Sequence, residues 1–262
     1  MAGEAVIRIR GLKNQFGRQV VHDGLDLDVL RGEVLGVVGG SGTGKSVLMR
    51  TILGLNRPHG GTVELLGVDV LRGDAEARAA AQTRCGVLFQ DGALFSSLTV
   101  TENVQAPMRE HLRLPRPLMD ELAALKIAMV GLPPDAGPKR PGELSGGMRK
   151  RAGLARALSL DPEVVFLDEP TAGLDPIGAA DFDQLIRDLQ RSLGVTVVMV
   201  THDLDSLAAI CDRIAVLVDK RIRVGTMADH MRDMHPWIQA YFHGPRARAA
   251  FSAAGMSPGE GS

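Results

Sequence analysis

Gly39-Gly40-Ser41-Gly42-Thr43-Gly44-Lys45-Ser46 fits the pattern G-x-x-x-x-G-K-[ST]. Glycines at these spacings let successive backbone N–H groups converge on phosphate oxygens without interference from Cβ atoms. A helix beginning at the end of the run adds a partial positive charge. Lys45 is long enough to reach the outer phosphates, and the Ser46 hydroxyl is a hard oxygen ligand suited to Mg²⁺. A second group, Val164-Val165-Phe166-Leu167-Asp168-Glu169, is an apolar run ending in two carboxylates. Asp168 is suited to hold Mg²⁺ through hydrogen bonds or water, and Glu169 to polarise an attacking water. A third, Leu144-Ser145-Gly146-Gly147-Met148, opens a helical stretch with a small hydroxyl and two glycines, the composition of a second anion site at a helix start. One chain binding one nucleotide does not need two such grips. Two chains paired head to tail do, with the 39–46 loop of one and the helix start at 145 of the other enclosing the terminal phosphate.

These groups must be carried by particular elements. Residues 33–40 form a short apolar run that breaks into glycines, a buried strand feeding a loop, and 46–55 reads as the helix that follows. Residues 163–168, 195–202 and 213–219 are further apolar strand candidates, separated by helices around 178–193 and 204–211, with a small strand near 221–225. Strands alternating with helices imply an α/β fold with a parallel sheet covered on both faces. Residues 5–30 instead alternate apolar and polar, the period of half-exposed antiparallel strands, and 62–66 and 86–90 are additional strand candidates. Residues 118–132 and 146–160 look helical, with proline-rich breaks at 115–117 and 133–141, so 91–160 is expected to be a helical insert. The main domain is expected over 1–225 and a C-terminal extension over 226–262, with 252–262 disordered. Trp237, Tyr241 and Phe242 cluster in that extension, either packing on their own domain or forming a docking arm.

The composition limits the function. With 30 Lys plus Arg against 31 Asp plus Glu, net charge gives no drive toward nucleic acid. A hydrophobic content of 45% with 23% charged residues belongs to a folded chain. Only 7 Phe, 1 Trp and 1 Tyr are present, so the core must be mainly aliphatic. Cys85 and Cys211 lie far apart in no metal-ligand spacing and read as ordinary buried thiols of a reducing compartment. No signal peptide and no membrane-spanning run is evident.

Taken together, the motifs resemble those of the ATP-binding subunits of ABC transporters, over about residues 5–225. Gly39–Ser46 resembles the Walker A motif, Val164–Glu169 Walker B, and Leu144–Met148 the signature motif. Gln90 is similar to the Q-loop glutamine that senses Mg²⁺ and contacts the membrane partner. Ala172-Gly173-Leu174-Asp175 resembles the D-loop, His202 the switch histidine at the γ-phosphate, and Phe16 the aromatic that stacks on adenine. The resemblance implies a P-loop NTPase core of RecA type with N-terminal antiparallel strands and an inserted helical subdomain. It also implies ATP and Mg²⁺ as cofactors, a homodimer, and a permease whose coupling helix enters a groove formed by the insert and the Gln90 loop, with partner specificity in 91–111. Met148 stands where the family usually has Gln, and Ala172-Gly173 where Ser-Ala is common; neither alters the metal, base or phosphate-gripping positions.

LSGGM, Phe89–Phe95, Glu102-Asn103-Val104, Arg109-Glu110-His111 and Asp175-Pro176-Ile177 further resemble the ATPases of Mla/Mce-type phospholipid transport systems. That resemblance implies a peripheral position on the cytoplasmic face of the bacterial inner membrane, beneath permease subunits. It also implies an Mce-domain protein and a small STAS-type regulator as associates. An importer for an amino acid, metal or peptide is the main alternative. A ribosome- or DNA-directed ABC protein would usually carry two cassettes or a long coiled coil, and a non-hydrolysing module would need a damaged motif.

Overall fold

The computed structural model describes residues 3–90 and 92–244. The expected disorder of 252–262 lies outside these residues, as does Asp91. The described residues divide into two compact units, one formed by 3–74 with 199–244 and the other lying within 75–198.

In the first unit, β1 (Ala5–Phe16) and β2 (Gln19–Leu30) pair antiparallel, and with β4 (Gly60–Leu65) and β5 (Val68–Asp69) they make a sheet of order β2-β1-β4-β5. The alternating sequence specifies this directly. Ile7 and Ile9 face Val29 and Leu27 on the buried side, while Arg8 and Arg10 point outward, Arg10 pairing with Asp28 at 2.8 Å. The register shifts between Ile9 and Leu12 around Gly11, whose φ of 57° supplies a left-handed kink.

β3 (Val34–Gly39) is continuously apolar and buried. It runs parallel to β9 (Arg213–Val218), with Gly39 opposite Leu217, and β10 (Arg221–Gly225) adds antiparallel beyond β9. Thr201 N–H, just after β8 (Thr196–Val200), donates to the Val37 carbonyl at 3.2 Å. The chain thus leaves β3 at the 39–44 glycines and leaves β8 at Thr201, one residue before His202. Helix α1 (Lys45–Ile52) follows the loop, three residues shorter than the expected 46–55 at its end, because Leu53 closes it and Gly54 turns left-handed. α7 (Leu204–Ile210), α8 (Met227–Arg232) and α9 (Pro236–Phe242) complete the unit. Val38, Leu207, Ile214, Val216, Ile238 and Phe242 form one aliphatic-aromatic core. The C-terminal extension through Gly244 is therefore folded onto the unit that holds the glycine loop.

The second unit holds α2 (Ala75–Thr83), β6 (Cys85–Leu88), α3 (Val100–His111), α4 (Arg116–Met129), α5 (Gly146–Ala157), β7 (Val164–Asp168) and α6 (Pro176–Leu193). β6 and β7 pair parallel, Cys85 opposite Val164. Within 92–160 the regular structure consists of α3, α4, α5 and two 3₁₀ turns at Pro134–Ala136 and Pro141–Glu143. The compact unit is larger than this stretch, because it also carries β6, β7 and α6. Helices α2, α8 and α9 lie outside the expected elements, and α3 falls inside the expected helical insert without having been delimited there. α3 carries a readable start signal, a capping box in which Thr99 and Glu102 bond reciprocally. α2 buries only Ala81, so its periodicity is too weak to read. Both cysteines are half-buried rather than buried and neither is in a disulfide, and burial pushes the Cys85 thiol up to about 12. No helix among the described residues is long and apolar enough to cross a membrane.

Candidate functional site

The glycine loop is shaped by contacts that exclude side chains. Gly42 and Gly44 have φ of 76° and 99°, and Gly44 is the left-handed residue from which α1 starts. A Cβ on Gly44 would collide with Val21 and lie 2.6 Å from His22 Nε2; one on Gly39 would lie 2.8 Å from the Leu217 carbonyl oxygen. Thr43 Oγ1 donates to the Gly40 carbonyl at 2.9 Å, tightening the loop. Lys45 Nζ folds over the loop and donates to the carbonyls of Gly39 at 2.8 Å and Gly40 at 3.3 Å. The first turn of α1 contains no acidic residue, and its start has no side-chain cap. A cradle of backbone N–H groups beneath an ammonium suits a phosphate, because it offers donors and positive charge with no competing carboxylate on the helix. Ser41 is exposed on the loop, and Ser46 is half-buried in the first turn of α1.

His22 is the residue sequence reasoning missed in this unit. It is fully buried on β2, its Nδ1 3.0 Å from Asn14 Nδ2, which also donates to Thr51 Oγ1 on α1 at 3.2 Å. With Nδ1 accepting, the neutral ring carries its proton on Nε2, beside Gly44. Nε2 makes no hydrogen bond among the described residues. Burial pushes the imidazole down to about 4, against an opposing pull from the Gly44 and Thr43 backbone. The signal in the sequence was a polar residue on the inward side of an otherwise apolar strand. His202, by contrast, is exposed, and its carbonyl accepts from the Tyr241 hydroxyl at 3.0 Å. Phe16 ends β1 at the hairpin with half its surface exposed.

In the second unit β7 delivers Asp168 and Glu169 at its C-terminal end, both half-buried. Glu169 has a φ of 49°, unusual for a residue with a Cβ. Its backbone is held there by its carbonyl, which accepts from Lys150 Nζ at 2.9 Å and from Ala172 N–H at 3.2 Å. Lys150, buried on α5, was also missed; a lysine on a helix reads as solvated until its neighbours are known. Ser145 caps α5, its hydroxyl accepting from Met148 N–H at 3.2 Å, and both Ser145 and Gly146 are exposed. Gln90, Gly146, Lys150, Ala172, Gly173 and Leu174 line one cleft of about 220 Å³. The signature stretch, the glutamine and the 172–174 loop thus meet within this unit. Asp175 serves locally as the N-cap of α6, accepting from Gly178 N–H at 2.9 Å.

The loop after Gln90 is clamped to α5. Arg156 donates to the carbonyls of Ala93 at 2.6 Å and Gly92 at 3.1 Å, and a Cβ on Gly153 would lie 3.1 Å from Gly92 Cα. Asn103, fully buried on α3, binds the backbone of Phe95, Leu98 and Thr99. A second cleft of about 220 Å³, lined by Val87, Phe89, Pro107, Ala157 and Leu160 among others, opens beside this loop.

No cluster of three or more His, Cys, Asp or Glu side chains suited to a metal exists among the described residues. Ser46 in the first unit, and Gln90 and Asp168 in the second, each carry a hard oxygen of the kind that suits Mg²⁺.

A family model described as ABC transporter matches residues 22–172. The chain is 38% identical over 241 residues to "Probable ribonucleotide transport ATP-binding protein mkl" of Mycobacterium leprae (strain TN), covering 92% of this chain and 69% of that protein. It is 38% identical over 217 residues to "Intermembrane phospholipid transport system ATP-binding protein MlaF" of Escherichia coli (strain K12), covering 83% of this chain and 80% of the relative. Among solved structures, the dimeric ATP-binding cassette MJ0796 bound to ADP and Pi superposes with a TM-score of 0.76 at 27% identity, covering 84% of this chain and 98% of the other. The cbiO1 protein of Clostridium perfringens, part of the cbiONQ ABC transporter complex, gives 0.79 at 26% identity, covering 95% and 99%.

Proposed function

The chain belongs to the ABC transporter family as an ATP-hydrolysing cassette, and from that premise we propose that it works as a homodimer beneath permease subunits, driving phospholipid transport across the bacterial envelope. The observation that carries the cargo reading is the 38% identity to a phospholipid-transport ATPase over 83% of this chain. The equal identity to a protein named for ribonucleotide transport supports a second reading, in which the cassette serves another cargo.

Lys45 leaves the Gly39 and Gly40 carbonyls to neutralise the β- and γ-phosphates, while the loop N–H groups bind their oxygens. Phe16, exposed at its hairpin, stacks on the adenine. Ser46, Asp168 and Gln90 hold Mg²⁺, which when bound neutralises charge on the phosphate oxygens. Glu169, its backbone fixed by Lys150 and Ala172, orients and polarises the attacking water. His202 contacts the γ-phosphate. Ser145, Gly146 and Gly147 of a second chain complete the enclosure, and Asp175 borders it. The γ-phosphate is then the differential contact between closed and open dimers, and its removal reopens them. The apolar cleft beside the clamped 92–99 loop suits a permease coupling helix. An Mce-domain protein and a STAS-type regulator are the expected associates, and the cytoplasmic face of the inner membrane the expected location.

Two experiments test this reading. Glu169→Gln retains ATP binding, loses nearly all turnover and accumulates as a dimer; near-normal turnover removes Glu169 from its role. Co-purification with the permease, then ATPase assay in phospholipid vesicles, separates the cargo readings. Stimulation by phospholipid supports the first, and stimulation only by soluble cargo supports the second.

A further inference from the structure

α9 places two aromatic rings between the glycine loop and the backbone of His202. Ile238 and Phe242, both buried, lock the helix into the core beside Val38, the residue preceding Gly39. Phe242 stacks on His230 at 5.5 Å and meets Tyr241 edge-on at 5.1 Å. His235 fixes the start of α9, accepting from Trp237 N–H at 3.2 Å through Nδ1 while its Nε2 lies 3.1 Å from Asp219. At the edge of this core Trp237 and Tyr241, both partly buried against it, stack on each other, 4.9 Å apart and 12° from parallel. The two ends of this stack touch different parts of the site. Trp237 Nε1 lies 3.5 Å from the position a Cβ would take on Gly40, so the indole sits directly against the loop backbone. The Tyr241 hydroxyl donates to the His202 carbonyl at 3.0 Å.

We propose that the Trp237–Tyr241 stack is a strut through which the C-terminal extension sets the distance between the phosphate loop and the His202 backbone, making both aromatics positioning residues for ATP hydrolysis. This rests on reading 39–46 as the phosphate loop. The geometry favours such a role because each ring has few rotatable bonds and its helix is anchored in the core. A shift of Gly40 on nucleotide binding is therefore passed along a stiff stack to the carbonyl of His202. A Cβ on Gly40 would reach the indole at ordinary van der Waals distance, so the ring and the loop backbone are neighbours with no space for a larger group between them.

The chain has 1 Trp, so its emission reports the surroundings of Gly40. Titrating the full chain with a non-hydrolysable ATP analogue and Mg²⁺ is expected to shift that emission, with the dissociation constant found by calorimetry. Tyr241→Phe keeps the stack and removes one hydrogen bond. It is expected to lower kcat about 3- to 10-fold with KM for ATP within about twofold, the size of effect that one neutral hydrogen bond produces when it orients a reacting group. Trp237→Ala is expected to lower kcat at least as much, and Trp237→Phe to restore most of it, at unchanged melting temperature for both Phe variants. Parent kcat and KM in both Tyr241→Phe and Trp237→Ala overturn the inference, whatever the emission does. A parent chain that binds no ATP overturns instead the phosphate-loop reading on which it stands.

Discussion

Lowering the pH should weaken this fold through one ring. His22 titrates at 6.5 when unfolded and at about 4 in the fold, because burial on β2 removes its charged form from water. As pH falls through the unfolded value, the unfolded chain takes up a proton that the folded chain refuses. Stability is thus complete above the unfolded value and is lost as pH drops toward the folded one. The full difference corresponds to about 3 kcal/mol, and on going from about pH 7.5 to about pH 5 the loss is about 2 kcal/mol. His22→Leu removes the titrating group, and Asn14 keeps its bond to Thr51. Urea unfolding of both chains across this range should show the parent losing about 2 kcal/mol more than the variant, since carboxylates elsewhere titrate alike in both. Equal losses in parent and variant would refute the reasoning, because they would mean that His22 is protonated in the fold at no cost. Direct titration of the ring by NMR should give the same answer, with a folded value well below the usual histidine range.

Other consequences are more local. Gly147→Ala places its new methyl 3.8 Å from Leu174, an ordinary contact, so the chain should melt as the parent does; turnover should nevertheless fall at least tenfold if, as proposed, that surface faces the second chain's phosphate, and normal turnover would count against the shared site. Lys150→Met removes the bond from Lys150 Nζ to the Glu169 carbonyl and should lower kcat several-fold with little change in ATP affinity, measured by steady-state kinetics beside calorimetry. Gly86→Ala drives a methyl into the Ala157 carbonyl, backbone against backbone, and should cost about 1–3 kcal/mol or more in chemical unfolding, while an unchanged midpoint would show that α5 and β6 can separate freely.

The sequence alone determined the family, its ATPase character and the local elements that carry the motifs. Glycine spacing, the apolar strand before Asp168 and Glu169, and the Ser145 helix start each encode a local backbone state, so they can be read without tertiary structure. The alternation in 5–30 likewise fixed β1 and β2, since one face of a strand must be buried. Tertiary structure decided what lies far apart in the chain. The hold of Lys150 on Glu169, the placement of His22 under Gly44, and the Trp237–Tyr241 stack against Gly40 and His202 join residues whose local sequence carries no mark of the partner. A buried lysine or histidine reads like an exposed one until packing removes its water, because burial is a property of the neighbours and not of the residue.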